Sequence, residues 1–511
     1  MKAKWFSAIL VVVMLAVSIV PAAGAAQSAK GYLIGSAAPL TPDQVAQLQS
    51  AGANLKHVYK NFGGAAGTIP SNKINAVRAL PFVTSVNEDT IKQLDEVTFA
   101  PQAQTALPGT SYWLDLMNAE NNTAYDGSGV WVAVLDSGFY PNWRDYFDES
   151  QILTQYASAF IAANGTANAN QWDAGSDPHG MAVSATIVGY RFTDDTNEGG
   201  WGEGFATGAA GTYWVPGVAN GAKIIPIKVC EPIGCFGSAI NAGVDYITSL
   251  KLENPSQPIV INESLGGPSL DAVEKAAIEA ALKAGVVIVA SASNSGNAGM
   301  GFPGAYEPVI SVAAGGWRNQ WNDYPDKTWW LDDVPENGVD EVFVADFSSR
   351  QLKGQYLDVT SSGRFMLLPY PCANLYQDGE VTSSTNVRTC ASKATPDNTS
   401  AAPFQYLFMS GTSFSAPATA GVVALMLQKN GSLNNADATF GAYNNPNSWG
   451  PGSLEKLLEK SATDIPADAV TVTHRTGVPD PECWEMGTPG CTLEATGAGW
   501  IFIDAALKAV K

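Results

Sequence analysis

The sequence predicts an α/β fold with a mostly parallel central sheet, preceded by a small α+β unit. Three observations carry that prediction. Continuous apolar runs rich in β-branched residues, VWVAVL at 130–135, PIVIN at 258–262 and GVVIVA at 285–290, read as strands buried on both faces, as parallel sheets require. Helix-period or small-residue stretches stand between and after them, at 179–189, at 237–250 and from 412 onward. Ahead of them, residues 31–89 follow a β-α-β-β-α-β order, the split βαβ plan. An apolar fraction of 46% can fill a large core. The roughly 400 residues after the first unit suit one large α/β domain.

At the front of the chain, Lys2 and Lys4 precede an apolar stretch at 6–20, and Pro21, Ala23, Gly24 and Ala25 follow. A charged start, an apolar middle and a small-residue end make residues 1–25 a cleavable secretory signal. The stretch falls short of the ~20 apolar residues of a membrane span and ends at a proline, so it is not read as an anchor. No later segment is long and apolar enough to span. In the α+β unit, YLI at 32–34 is the first strand. Thr41-Pro42-Asp43 caps a helix running to about Ser50, with proline at its first position. Short strands follow near 56–60 and 62–69, then a helix from Ser71 to Leu80 and a closing strand at 82–86. The stretch 99–109, polar with Pro and Ala, suits a cleavable linker, which bounds the unit at 26–105 and the large domain at 106–511.

Three segments of the large domain carry chemistry. The strand at 130–135 ends in Asp136-Ser137-Gly138. A carboxylate there stands on the functional edge of an α/β sheet, although a turn-capping aspartate reads the same way in isolation. Asp177-Pro178-His179-Gly180 opens a small-residue helix closed by Gly189. Of three histidines, His57 falls in the first unit, which leaves His179 and His474 as candidate imidazoles. The octet from Ser410 to Pro417 opens a helix at Ser413. Gly411 lets backbone pass close by, Pro417 is expected in the first helical turn, and the helix's positive end favours negative charge developing beside the serine.

Asp136, His179 and Ser413, in that order and in those contexts, resemble the subtilisin-like serine proteases, from about Gly31 to the C-terminus. The resemblance implies a three-layer subtilisin-like fold and makes residues 26–105 a ferredoxin-like inhibitory prosegment, with 82–89 as its closing strand. It implies that Ser413 attacks, His179 relays the proton, Asp136 orients the imidazole, and no cofactor enters the chemistry. The Val215–Ala219 turn and the strand at 222–229 are similar to family elements, as are 301–312 and 346–349. By the same resemblance the edge Ser264, Leu265, Gly266 pairs with extended substrate and walls the pocket for the residue before the scissile bond. Asn294 falls at the family's oxyanion asparagine. Two departures stand out: the family's usual glycine before that asparagine is Ser293 here, and a frequent histidine after Pro417 is Ala418. A serine esterase of unrelated fold would show a Gly-x-Ser-x-Gly elbow with the acid after the serine, and the octet has neither.

Insertions near 190–214, 317–345 and 365–404 depart from a minimal family member; the second gathers Trp317, Trp321, Tyr324, Trp329 and Trp330. Family members often bind structural calcium. Asp194, Asp195, Asn197 and Glu198, or Asp323 and Asp326, supply hard oxygen ligands, but no complete ligand spacing is visible and no metal ligand is assigned. Six cysteines form an even set, and the sequence-nearest pairings are Cys230 with Cys235, Cys372 with Cys390 and Cys483 with Cys491. With 28 basic against 48 acidic residues the net charge is −20, which makes nucleic acid and anionic membranes poor partners. The expected product is therefore a secreted, extracellular, monomeric serine endopeptidase, self-processed from a precursor. It acts on proteins and peptides, and its own prosegment is its intramolecular inhibitor.

Overall fold

Residues 31–88 close a four-stranded antiparallel sheet on their own. The computed structural model describes residues 30–94, 98–99, 111–165, 171–175, 177–194, 211–318, 334, 338–371, 406–438, 452–465 and 493–511. The first unit consists of β1 (Gly31–Ser36), α1 (Pro42–Ser50), β2 (Asn54–Val58), β3 (Gly64–Thr68), α2 (Ile74–Arg78) and β4 (Val83–Glu88), in the sheet order β2-β3-β1-β4. Thr41 caps α1 in a reciprocal box: its hydroxyl accepts from Gln44 N at 3.3 Å while Gln44 Oε1 accepts from Thr41 N at 2.9 Å. The strand period of two decides the layering. Tyr32 and Ile34 pack with Leu48, Val77 and Val86 under the unit's own helices, whereas Leu33 and Ala66 join the core of the large domain.

Two short strands lead away from this unit, β5 (Ile91–Leu94) and β6 (Thr98–Phe99), and α3 (Tyr112–Asp115) begins the large domain. Its sheet strands are β7 (Trp131–Asp136), β8 (Ser158–Ala159), β11 (Lys223–Lys228), β14 (Ile259–Glu263), β16 (Val287–Ser291), β17 (Ile310–Trp317), β18 (Val342–Val344) and β19 (Val359–Ser362). They run in the order β18-β17-β16-β14-β7-β11-β8, with β19 also on β17, and every pairing is parallel except β17 with β18. Helices α4 (His179–Val188) and α7 (Thr412–Lys429) cover one face; α5 (Gly237–Glu253) and α6 (Ala272–Ala284) cover the other. Each strand serves both: Val132 and Val134 point to α4 and α7, Ala133 and Leu135 to α5 and α6. This is the expected three-layer α/β fold. A buried side chain of this kind contributes ~1.5–3 kcal/mol, so Val134→Asp would break the core beside Asp136.

The remaining elements complete the rim. They are β9 (Tyr190–Asp194), β10 (Gly211–Val215), β12 (Cys230–Glu231), β13 (Gly234–Phe236), β15 (Leu265–Gly266), β20 (Met366–Pro369), β21 (Tyr406–Ser410), α8 (Ser453–Ser461), α9 (Leu493–Thr496) and α10 (Ile503–Ala509). Cys230 and Cys235 are joined across the β12–β13 hairpin. Cys372, Cys390, Cys483, Cys491 and His474 lie outside the described residues, as do the segment 1–25 and most of the three insertions. Trp317 is a core residue, its indole N–H donating to Glu341 Oε2 at 2.7 Å; Trp321, Tyr324, Trp329 and Trp330 are not described. No helix among the described residues is long and apolar enough to cross a membrane.

The first unit is seated on the large domain by polar contacts to α5 and to Ile161. The residue before α5, Phe236, offers no side-chain cap, and Asp89 of the first unit supplies one: its Oδ1 accepts from Ser238 N at 2.9 Å and its other oxygen from the Ser238 hydroxyl. Asp245 of α5 accepts from Lys60 N and Asn61 N, both at 2.9 Å. His57 Nε2 meets the Ile161 carbonyl at 2.8 Å, and burial pushes this imidazole below its ordinary value. The seated unit thus holds His57 neutral, whereas an unseated one takes up a proton below about pH 6.5. Seating should therefore weaken as pH falls from 6.5 through the lowered value. Hydrogen exchange of the β2 and β3 amides, corrected for intrinsic rates, should show this loss of protection, and His57→Gln should remove the part of the pH dependence that begins at about 6.5.

Candidate active site

Asp136 is the last residue of β7 and is fully buried. Its Oδ1 accepts from Ser137 N at 2.6 Å, and His179 Nδ1 lies 2.9 Å from Oδ1 and 3.0 Å from Oδ2. His179 is the first residue of α4 and is 2% exposed. Two neighbours not singled out in the sequence hold it there. Asp177 accepts from His179 N at 2.9 Å, and the Ser137 hydroxyl donates to the Asp177 carbonyl at 2.8 Å while accepting from Gly180 N at 3.0 Å. A carboxylate on Nδ1 keeps the proton on that nitrogen and makes Nε2 the basic atom of the ring.

Ser413 lies in the first turn of α7, whose Phe414 ring stands 5.8 Å from that of His179. The serine hydroxyl donates to the Ser264 carbonyl at 3.3 Å. Pro417 differs from expectation: it is the sixth residue of the helix, beyond the first turn. There it has no N–H to give to the Ser413 carbonyl four residues back. Ser264 supplies the missing donor, its hydroxyl bonding Ser413 O at 2.8 Å and itself accepting from Asn262 Nδ2 at 3.0 Å. Ser264 therefore braces the serine's own backbone, a use that its sequence context did not signal.

Asn294 follows β16 and is half-buried. Its Oδ1 accepts from Thr412 N at 2.9 Å and from the Thr412 hydroxyl at 2.8 Å. A backbone N–H can only donate, so the amide oxygen is turned to Thr412 and Nδ2 is the donating end. Ser293 takes φ +78°, the left-handed region in which a glycine carries no penalty. Its hydroxyl fills the space that a side chain at Gly266 or Gly301 would need. The turn thus survives the departure from glycine.

The edge Leu265–Gly266 is paired. Leu265 stands opposite Leu94 and Gly266 opposite Gln93, antiparallel, while on the far side of β5 Cys235 faces Lys92 and Phe236 faces Ile91. Beyond residues 95–97, Thr98 and Phe99 pair with Ser410 and Met409, immediately before the Ser413 helix. The first unit's tail therefore engages both sides of the Ser413 region.

The profile of the subtilase family matches residues 127–478, a span that includes Asp136, His179, Asn294 and Ser413. The chain belongs to the subtilase family. It is 26% identical over 313 residues to subtilisin J of Geobacillus stearothermophilus, covering 59% of this chain and 70% of that one. With serine protease AprX of Bacillus subtilis (strain 168) it shares 26% over 431 residues, 81% of this chain and 74% of the other. Among solved structures, fervidolysin from Fervidobacterium pennivorans, a keratinolytic enzyme related to subtilisin, superposes with a TM-score of 0.57 at 21% identity, over 94% of this chain. The chain spans 61% of the length of that structure, and the likeness bears on fold alone. This subtilase is a subtilisin-like serine protease.

Of the residues named for calcium in this subtilase, Asp194 ends β9, and Asp195, Asn197, Glu198, Asp323 and Asp326 lie outside the described residues. A different group gathers hard oxygens: Asp358, Glu455 and Glu459 bring carboxylate atoms within 4.8 Å of one another. Burial pushes Asp358 up to about 6 and Glu459 up to about 7, and Glu455 well above its ordinary value. Burial is the largest cause in each, and for Glu455 and Glu459 like charges on the neighbouring carboxylates add to it.

Proposed function

We propose that this subtilase is a secreted, monomeric serine endopeptidase, made as a precursor that processes itself. The observation that carries the reading is the buried Asp136–His179 pair at 2.9 Å, on a helix packed beside the one that Ser413 opens. In the reaction, the Ser413 hydroxyl leaves the Ser264 carbonyl and attacks the scissile carbonyl carbon. His179 Nε2 takes its proton and returns it to the leaving amine, while Asp136 holds the tautomer and stabilises the imidazolium. Asn294 Nδ2 and the Ser413 N–H receive the oxyanion; water then enters, activated by the same imidazole, and frees the acyl group. Every step is supplied by side chains and backbone of this chain.

Protein and peptide substrates take the place of β5, as an added strand against Leu265–Gly266. The first unit is read as the prosegment and intramolecular inhibitor, because β5 and β6 occupy the two sides of the Ser413 region. The bond that is cut in processing then lies in the connection 95–97, upstream of the boundary near 105 that linker composition suggested. Intact mass and N-terminal sequencing of the secreted product test this reading: an N-terminus between residues 96 and 98 is expected. A mature product that still carries β1 to β4 by covalent linkage would overturn it. An organofluorophosphonate should label Ser413 and stop casein hydrolysis.

Asn294→Ala should lower kcat by about 10²–10³ with little change in KM, since the amide serves the oxyanion far more than the ground-state carbonyl. Steady-state kinetics on a chromogenic peptide measures it; a loss below about tenfold would mean that other donors hold the oxyanion.

A further inference from the structure

One charged side chain of the first unit is buried inside the large domain. In β5, Ile91 and Gln93 are exposed, while Lys92 between them is 2% exposed. Its ammonium lies 2.6 Å from Glu274 Oε1 on α6 and donates to the Phe302 carbonyl at 2.8 Å. Glu263, at the end of β14, is buried on the same side; burial and then Glu274 push its carboxyl up to about 8, against the pull of Lys92. Burial also raises Glu274, again against Lys92, and Asp271 at the cap of α6 adds negative charge beside it. Gly267 leaves room for the lysine stem, since a Cβ there would stand 2.8 Å from Lys92 Cγ.

Every wall of this pocket belongs to the large domain: Glu274, Glu263, Phe302 and Gly267. The pocket therefore stays when the first unit leaves. Lys92 alone departs, and Glu274 then loses the one cation that is paired with it, a loss that is costly for an ion pair formed out of water. The register fixes which residue of an incoming strand refills it: the one opposite Cys235, two before the residue opposite Leu265. Resting on the endopeptidase reading above, we propose that the Glu263–Glu274 pocket selects substrates with a lysine or arginine at that position. The prosegment's Lys92 is the chain's own copy of the recognised residue, and Glu274 is the group that touches it.

The test uses the enzyme recovered from full-chain expression and quenched fluorescent peptides spanning residues 88–99 of this sequence, with lysine, norleucine or glutamate at position 92. Buried polar sites discriminate strongly against a partner that leaves them unpaired, so kcat/KM for the lysine peptide should exceed that for norleucine by about tenfold or more, with glutamate poorer still. In Glu274→Gln the lysine-to-norleucine ratio should collapse towards one. Equal rates on lysine and norleucine peptides in the native enzyme would overturn the inference, as would a ratio that survives Glu274→Gln. The peptide series needs no variant, so it decides even where Glu274→Gln fails to fold. Failure to cleave any peptide or casein would instead overturn the endopeptidase reading, and this inference with it.

Discussion

Ser413→Ala accumulates as the full-length precursor, with its first unit still attached. The alanine removes the one atom that can form the acyl bond, and nothing adjacent replaces it: the neighbouring hydroxyl of Thr412 is committed to Asn294 Oδ1 at 2.8 Å, and that of Ser264 to the Ser413 carbonyl at 2.8 Å. In enzymes of this chemistry, loss of the nucleophile costs about 10⁶ in kcat. If the chain cuts its own 95–97 connection, processing stops with catalysis. The variant should keep its fold, because the hydroxyl's bond to Ser264 O is long at 3.3 Å and the helix start is held by other groups. Expression in a protease-free host followed by intact mass decides the matter. A variant that still loses residues 26–94 would show that another enzyme does the cutting.

Asp136→Asn lowers kcat by about 10⁴ while leaving the fold intact. The reason is directional. Ser137 N donates to Oδ1 at 2.6 Å, and a backbone N–H demands an acceptor there, so the amide oxygen of an asparagine takes that place. Its NH₂ then stands where Oδ2 now faces His179 Nδ1 at 3.0 Å, and two donors meet. The ring escapes by moving its proton to Nε2, which removes the base from the atom proposed above to take the serine's proton. Thermal unfolding alongside kcat at neutral pH separates the two effects. A loss of less than about tenfold in kcat, with the midpoint unchanged, would remove Asp136 from the role of orienting group.

The residues proposed for the chemistry stand out in the sequence because each sits at the end of a strongly patterned element. Asp136 closes a run of buried β-branched residues, His179 opens a helix of small residues, and Ser413 follows a glycine at the head of an apolar helix. The first unit's strand and helix order was legible for the same reason, down to the Thr41 cap. What escaped depends on pairing across long sequence distances. Ile91–Leu94 is half polar and only four residues long, and it becomes a strand because Leu265 and Cys235, far along the chain, present edges on both sides. Glu274 carries the marks of a first-turn helix acid that complements Asp271 at the N-cap; its burial follows from what packs over α6. Pro417 was placed a few residues early because a proline in a sequence does not announce that a distant hydroxyl will serve the carbonyl it abandons.

The place held by β5 is one strand wide. Neighbouring strands lie about 4.8 Å apart, so β13 and β15 flank a gap that a single extended backbone fills, and the pairing of Thr98–Phe99 with β21 continues the demand on the far side. A guest that takes this place as proposed above must be extended over a length that pairs at both, along the four residues of β5 and again along the two of β6. Helices and closed hairpins have no such length to offer until they open. For a protease of this shape, the susceptibility of a folded protein is set less by which peptide bonds it contains than by how often a stretch of that length comes undone, so compact proteins should first be nicked at termini and loop tips, and unravel from there.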